Sequence, residues 1–258
     1  MHDAILGPIL DEVATALARA KRALFVTGAG LSADSGLPTY RGMGGLYDGM
    51  ATAEGMPIER VLSGHTFRSK PELTWKYLRE VARACEKATF NAGHRVIAEL
   101  ERKIESVVVL TQNVDGFHQR AGSTQVIEIH GNLFHLRCTR CPARRRVSSI
   151  AALPPLPQCP CGGVERPEVV LFGENLPEQQ MSLLMRELEA GFDIVLSVGT
   201  SGLFPYIRLP MIRAQVYGWP SVDINPLANE MTQYARHHLP LRAAEACQAL
   251  WTRVLRSR

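Results

Sequence analysis

Short runs of apolar residues alternate along the chain with longer segments whose apolar residues recur every three to four positions. The short runs are rich in β-branched side chains and stop at Gly or at polar residues, which is typical of strands buried in a parallel sheet. The predicted strands are residues 23–27, 107–111, 126–129, 168–172, 193–198 and 222–224. The predicted helices are residues 9–20, 71–88, 92–104, 177–189, 204–214 and 243–255. Strands that alternate with helices predict a mostly parallel, doubly wound α/β sheet.

Residues 37–70 interrupt this alternation. They contain scattered Gly, Pro and Met residues without a sustained period, so we expect a long loop with short helical pieces. A loop of this length inside a compact domain usually has a functional role.

The composition is that of a globular chain with a large core. Of the 258 residues, 46% are apolar and 21% are charged, which excludes a disordered, collagen-like or coiled-coil protein. No apolar run approaches the roughly 20 residues of a membrane-spanning helix. The segment Met1-His2-Asp3 lacks the basic region of a signal peptide. We therefore expect a cytoplasmic protein with no membrane partner.

Four of the six cysteines lie within one Arg- and Pro-rich stretch. Cys138 and Cys141 are separated by two residues, Cys159 and Cys161 by one, and 17 residues lie between the pairs. Four thiolates close a tetrahedral structural zinc site and leave no open position for water or substrate, so a catalytic zinc is disfavoured. The second pair is one residue tighter than usual, and the alternative is a chance cluster of buried thiols.

A second interpretation of this stretch is a zinc module that binds nucleic acid. The arginines that suggest it are Arg137, Arg140, Arg144, Arg145 and Arg146. The whole chain has 29 basic and 25 acidic side chains, and the resulting formal charge of +4 does not by itself indicate nucleic acid. We favour a solvated basic face, so nucleic acid is not an expected partner.

A glycine-rich turn follows the first predicted strand. The pattern Gly28-x-Gly30-x-x-Ala33 fits the dinucleotide-binding fingerprint, in which small residues permit a tight turn, approach to a pyrophosphate and close helix packing. Only Asp48, in the predicted loop, stands where the fingerprint has its acidic residue, and a glycine turn of another α/β protein could look the same. The polar clusters at 112–115, 199–201 and 225–226 also follow strands, so they should converge on one crevice.

His130 lies between a predicted strand and Gly131, at the same edge of the sheet. Histidine, with a pKa near neutrality, suits a general base in such a crevice. The alternative is a hydrogen-bonded structural histidine, and seven other histidines compete for the catalytic role.

Taken together, the motifs resemble those of the sirtuins, the NAD-dependent protein lysine deacylases. The resemblance spans residues 20–250, and its motifs occur in the family's order. They are Gly28-Ala-Gly-Leu-Ser-Ala-Asp-Ser-Gly-Leu-Pro-Thr-Tyr-Arg41, Thr111-Gln-Asn-Val-Asp-Gly-Phe-His118, Ile129-His-Gly-Asn132, the four cysteines, Val169-Val-Leu-Phe-Gly-Glu174, Gly199-Thr-Ser201 and Asn225-Pro226.

The resemblance implies a Rossmann-like NAD-binding domain and a smaller inserted domain that holds one structural Zn²⁺. The first would comprise residues 1–36, 90–130 and 168–258. The second would combine a helical and loop part, residues 37–89, with a zinc-binding part, residues 131–167. NAD, as co-substrate, and an acyl-lysine peptide or protein would meet in the cleft between them.

Site residues follow from the same resemblance. His130 matches the catalytic base, and Asn113 and Asp115 complete the catalytic set. The cofactor-binding residues would be Gly28, Ala29, Gly30, Ser32, Tyr40, Arg41, Gln112, Asn113, Asp115, Gly199, Thr200, Ser201, Asn225 and Ala243. The peptide would lie as an added strand against Val169, Val170, Leu171 and Phe172.

The implied reaction yields nicotinamide, O-acyl-ADP-ribose and free lysine. ADP-ribosyl transfer to protein, or hydrolysis of NAD at the same site, is the alternative. Thr39-Tyr40 replaces the commoner Asp-Phe before Arg41, which bears on nicotinamide exchange. Leu78 and Val81 stand where the branch that removes acidic acyl groups has Tyr and Arg, so we expect a neutral acyl group such as acetyl. The sequence does not indicate the oligomeric state.

Overall fold

The computed structural model describes residues 2–38 and 52–256 of the chain. Within them the strands are β1 (Arg22–Thr27), β2 (Ser106–Thr111), β3 (Gln125–Glu128), β4 (Gly131–Cys138), β5 (Arg144–Arg146), β6 (Glu165–Val169), β7 (Ile194–Val198), β8 (Ser221–Ile224) and β9 (His237–Leu239). The α-helices are α1 (His2–Arg19), α2 (Ala29–Ala33), α3 (Ile58–Val61), α4 (Gly64–Ser69), α5 (Pro71–Lys87), α6 (Ala92–Leu100), α7 (Phe117–Ala121), α8 (Glu178–Ala190), α9 (Pro205–Tyr217) and α10 (Ala243–Arg256). None of these helices is both long enough and apolar enough to cross a membrane.

The larger sheet has six parallel strands in the order β3-β2-β1-β7-β8-β9. The chain builds outward from β1 through β2 and β3, and then returns to add β7, β8 and β9 on the other side of β1. Thr27 at the end of β1 pairs with both Thr111 and Val198, so the turns after β1, β2 and β7 share one edge. This reversal of strand order next to β1 confirms the doubly wound prediction and places a crevice at that edge.

Both faces of this sheet are buried, which explains its continuous apolar runs. In β2, Val107 and Val109 belong to a core formed with α1, α6 and α10. Val108 and Leu110 point the other way, into a core formed with α8 and α9. Because successive side chains of a strand alternate between faces, a strand covered by helices on both sides needs apolar residues at every position.

A second, antiparallel sheet in the order β5-β4-β6 packs with α3, α4 and α5 around a separate core. Trp75 of α5 is fully buried in this core, and its indole N–H donates to the carbonyl of Glu165 at 2.9 Å. The register between β4 and β6 shifts between Asn132 and Leu136, which marks a bulge close to the start of β4.

The strand predicted at residues 168–172 is wrong in its position, because β6 covers Glu165–Val169. Two charged side chains of β6 are buried in ion pairs, Glu165 with Arg145 and Arg166 with Glu174, so the strand does not read as an apolar run. The loop predicted at 37–70 contains the short helices α3 and α4, while Tyr40 and Arg41 lie outside the described residues.

Candidate active site

The polar residues that follow β1, β2, β7 and β8 converge at the carboxyl edge of the larger sheet. The Gln112 side-chain amide donates to Thr200 Oγ1 at 2.6 Å, and the Asn225 side-chain amide donates to the Thr200 carbonyl at 3.0 Å. Thr200 thus joins the turns after β2, β7 and β8, and Ser201 follows it as an exposed residue. The predicted convergence of these clusters at one edge of the sheet is therefore present in the structure.

The two glycines of the fingerprint are required by the approach of a second turn. A Cβ added at Gly28 would lie 2.7 Å from Thr200 Cβ, and one added at Gly30 would lie 2.8 Å from Gly199 Cα. The amide of Gly30 donates to the Gly199 carbonyl at 2.8 Å. Ala29 begins the short helix α2 between these contacts. The glycine pattern thus lets the turns after β1 and β7 pack against each other.

The buried carboxylate of Asp115 accepts hydrogen bonds from residues next to these turns. Ser32 Oγ donates to Asp115 Oδ2 at 2.7 Å, and the amide of Phe117 donates to Asp115 Oδ1 at 2.9 Å. The Asn113 side chain donates to Ser32 Oγ and to the Gly28 carbonyl, both at 3.0 Å. Burial raises the pKa of Asp115, and the bonds from Phe117 and Ser32 oppose this shift. Because both oxygens already accept hydrogen bonds, Asp115 is better placed to orient Ser32 and Asn113 than to remove a proton.

His130 lies between β3 and β4 and has hydrogen-bond partners at both ring nitrogens. Nδ1 is 3.2 Å from the Gln112 carbonyl and Nε2 is 2.6 Å from the Tyr206 hydroxyl. A carbonyl can only accept, so Nδ1 carries the proton and Nε2 presents its lone pair. Burial lowers the pKa of His130 to about 4, and the bond to Gln112 acts in the opposite direction. The ring is therefore neutral near pH 7 and able to accept a proton at Nε2.

Two competing histidines are buried below the crevice. His118 Nε2 lies 2.9 Å from Thr27 Oγ1, and the ring centroids of His94 and His118 are 4.9 Å apart. Burial lowers the pKa of His94 to about 4 and that of His118 well below its ordinary value. Both side chains are at most 1% exposed, so neither reaches a substrate. This arrangement favours His130 as the base.

The segment predicted to receive the peptide follows β6. The amides of Val170, Leu171 and Phe172 donate to the His130 carbonyl, to Glu174 Oε2 and to the Leu62 carbonyl at 2.9, 3.0 and 2.9 Å. Val169 pairs with Gly131 inside the antiparallel sheet. The N–H groups of residues 170–172 are thus already used, which limits how an added strand could pair with them.

Ala243 lies apart from the polar residues of the crevice. It is the first residue of α10, and its 3% exposed side chain packs in the core that contains Leu31 and Leu239. The contact of this region with the glycine turn runs through Asp34, whose carboxylate accepts from the Ala244 amide at 2.8 Å.

Sequence reasoning did not single out Tyr206 and Phe204. Their rings stack with centroids 5.5 Å apart, and both contact the His130 ring edge-on. The only signal was their place directly after the cluster at 199–201, and the predicted helix at 204–214 gave them an ordinary structural explanation.

The four clustered cysteines fit a tetrahedral metal ion. Their sulfurs all lie within 4.8 Å of one another, with Cys138 and Cys161 at 3.5 Å and Cys141 and Cys159 at 3.7 Å. Tetrahedral zinc with Zn–S bonds of about 2.3 Å requires sulfurs about 3.8 Å apart. The Arg140 amide donates to Cys138 Sγ at 3.3 Å, which favours the thiolate. The donor set is that of a structural Zn²⁺.

The arginines beside this site are partly neutralised. Arg144 pairs with Glu168 at 3.2 Å, and Arg145 forms two hydrogen bonds with Glu165 at 2.9 and 2.6 Å. These pairs reduce the positive charge that a nucleic acid would meet.

Comparisons with known proteins agree with one another. The profile of the Sir2 family matches residues 28–204. The chain is 52% identical over 227 residues to NAD-dependent protein deacylase 2 of Pseudomonas aeruginosa, covering 86% of this chain and 88% of that protein. It is 37% identical to NAD-dependent protein deacylase 1 of Archaeoglobus fulgidus, covering 93% and 96%.

Solved structures extend this likeness to the fold. A crystal structure of a Sir2 homolog–NAD complex superposes with a TM-score of 0.84 at 35% identity, covering 95% of this chain and 93% of that one. A Sir2–p53 peptide–NAD⁺ complex gives 0.77 at 29% identity, covering 92% and 95%. Together with the matched motifs and the four-cysteine cluster, these findings show that the chain belongs to the Sir2 family.

Proposed function

We propose that this protein is an NAD-dependent protein lysine deacylase. The observation that carries the proposal is the neutral, half-buried His130, which offers Nε2 as a proton acceptor at the carboxyl edge of a Sir2-family sheet. Relatives at up to 52% identity are named NAD-dependent protein deacylases. The products would be nicotinamide, O-acyl-ADP-ribose and free lysine.

The residues at the crevice fit a dinucleotide. NAD supplies the ADP-ribosyl group to which the acyl group is transferred. Amide and hydroxyl groups from four turns face one edge, and the neutral His130 removes a proton there while the Gln112 carbonyl stabilises the charge that appears on the ring. The NAD-contacting set that we propose is Gly28, Ala29, Gly30, Ser32, Tyr40, Arg41, Gln112, Asn113, Asp115, Gly199, Thr200, Ser201, Asn225 and Ala243.

The orienting, peptide-binding and zinc-binding roles fall to residues on or next to the two sheets. We assign Asn113 and Asp115 to the catalytic set as orienting residues, and segment 169–172 to the peptide. The cleft lies between a Rossmann-like domain (residues 1–36, 90–130 and 168–258) and a smaller domain (residues 37–89 and 131–167). In the smaller domain Cys138, Cys141, Cys159 and Cys161 hold one structural Zn²⁺. The four cysteines of this site are not paired in disulfides, which favours a reducing compartment such as the cytoplasm.

The helix α5 supports a neutral acyl group. Leu78 and Val81 are 3% and 5% exposed in an apolar core, so they offer no partner to an acidic acyl chain. The nearest Tyr and Arg have other partners. The Tyr77 hydroxyl contacts Glu54, and the Arg79 guanidinium donates to the carbonyls of Ile150 and Pro154. We therefore infer a preference for acetyl over succinyl.

The test uses purified protein, NAD and acetyl-lysine or succinyl-lysine peptides. We expect peptide-dependent release of nicotinamide and faster removal of acetyl. The variant His130→Ala should lose about 10²- to 10⁴-fold of deacylation, as for a general base, whereas His65→Ala, at an exposed histidine, should keep it. Unchanged deacylation by His130→Ala contradicts the role of the base. An ADP-ribose adduct on protein, or nicotinamide release without peptide, seen by mass spectrometry, supports the alternative activities instead.

A further inference from the structure

The catalytic histidine is held by an aromatic pair from the start of α9. Phe204 directly precedes the helix, and Tyr206 is its second residue. The two rings are nearly parallel, with an angle of 13° and centroids 5.5 Å apart. They meet the imidazole of His130 edge-on at 5.8 Å and 5.9 Å. The Tyr206 hydroxyl thereby reaches Nε2 of the ring, whereas Nδ1 contacts the backbone carbonyl of Gln112.

The two hydrogen bonds of the ring define its tautomer. The carbonyl of Gln112, which follows β2, accepts from Nδ1–H at 3.2 Å, and the Tyr206 hydroxyl donates to the lone pair of Nε2 over a shorter distance, 2.6 Å. Many catalytic histidines are oriented by a carboxylate, but among the described residues no carboxylate shifts the pKa of His130, which burial lowers. Among the residues that the structure describes, the ionisable group that contacts the ring is the Tyr206 phenol, from α9.

A hydroxyl suits both protonation states of the ring. Before proton transfer the phenol donates to the bare Nε2. A substrate hydroxyl that takes over this lone pair replaces one O–H donor by another, so little binding energy is lost. After Nε2 has received the proton, the phenol oxygen can turn and accept from Nε2–H, and no proton leaves the tyrosine. Burial raises the pKa of Tyr206 to about 12, so the phenol stays protonated throughout.

We propose that Tyr206 is a positioning residue for His130, whose hydroxyl acts with the Gln112 carbonyl to fix the ring orientation and to keep Nε2 as the proton-accepting atom. The kinetic consequence rests on the proposed deacylase function, whereas the tautomer is a property of the free protein.

The first measurement is the long-range ¹H–¹⁵N spectrum of the histidines in the free protein near pH 7, with the His130 signals assigned from His130→Gln. We expect a single form, protonated at Nδ1 and bare at Nε2. In Tyr206→Phe, which keeps the ring but removes the donor, both tautomers should be present, and the pKa of His130 should rise because the neutral form has lost a hydrogen bond. Phe204→Leu, which keeps the hydroxyl, should retain the single tautomer.

The second measurement is steady-state kinetics of the same variants with NAD and acetyl-lysine peptide. Tyr206→Phe should lower kcat about three- to tenfold, as for one lost hydrogen bond, with both KM values within about twofold of the original. A wild-type ring protonated at Nε2, or spectra and kcat unchanged in Tyr206→Phe, overturns the proposal. Absence of deacylation in the wild-type protein would refute the proposed function and leave the spectroscopic test intact.

Discussion

Among the described glycines, Gly131, the residue after His130, is the one at which an added methyl group meets the shortest contact. Its φ is +78°, and it pairs with Val169 at the start of β4. A Cβ built on it would lie 1.7 Å from the Glu168 carbonyl oxygen and 3.2 Å from Val169 Cα. Since both neighbours are backbone atoms of β6, no side chain can rotate away, and the strands have to separate by more than about 1 Å.

The cost of Gly131→Ala has two parts. A left-handed backbone costs an alanine about 1–2 kcal/mol, and overpacking adds about 1–3 kcal/mol. The sum of about 2–5 kcal/mol lowers Tm by about 5–15 °C for a chain of this size. The separation also strains the bond from the Val170 amide to the His130 carbonyl, which is 2.9 Å long, so deacylation should fall as well.

Thermal unfolding followed by circular dichroism measures this cost, with Gly218→Ala as the matched control. Gly218 has a similar φ of +72°, but nothing lies within 4 Å of a Cβ built there. The control variant therefore carries only the backbone part, about 1–2 kcal/mol. If the two variants melt within about 2 °C of each other, the contact with β6 is relieved without cost and the reasoning is refuted.

Three further outcomes are expected. The protein should contain one zinc ion per chain by elemental analysis, and Cys141→Ser should lose the ion and lower Tm, because the site contributes folding energy; a variant that keeps its zinc contradicts the ligand set. Burial lowers the pKa values of His94 and His130 to about 4. The free energy of unfolding should therefore be unaffected by these two groups above about pH 6.5 and fall as the pH drops toward 4, by up to about 3 kcal/mol from each. Urea unfolding at constant ionic strength checks this, and a free energy of unfolding that does not change over this pH range contradicts it. Glu174→Gln should cost about 3–5 kcal/mol, because the 4% exposed Arg166 side chain then lacks its charged partner, and denaturant midpoints measure the loss.

The central part of the fold was predictable because burial on both faces leaves a direct trace in the sequence. Strands β1, β2 and β7 are apolar at nearly every position, and the flanking helices α6 and α10 have a clear apolar period. Strand β6 leaves no such trace. Its charged residues are buried through ion pairs with Arg145 and Glu174, which are distant along the chain or lie in a loop. A reading based on apolar runs therefore placed the strand three residues too late.

The location of the candidate site was predictable from the sequence, whereas its hydrogen-bond partners were less so. That residues after parallel strands meet at one edge follows from topology alone, so the grouping of Gln112, Thr200 and Asn225 could be anticipated. The partner of Asp115 could not, since Ser32 lies 83 positions away and its hydroxyl has many alternative acceptors. Tyr206 was not predicted for another reason, because a tyrosine in the first turn of a predicted helix already has an ordinary structural explanation.

The glycine fingerprint shows why such a motif is weak evidence by itself. Gly28 and Gly30 lack side chains because the turn at Gly199 and Thr200 approaches them within 3 Å of any added Cβ. That requirement comes from packing between two strands' turns and would exist with or without a dinucleotide. A sequence cannot separate the two causes, since both select glycine at the same positions. The partner turn is what links the motif to the candidate site, because it brings the hydroxyl of Thr200 to the Gln112 side chain, and the Gln112 carbonyl in turn contacts His130.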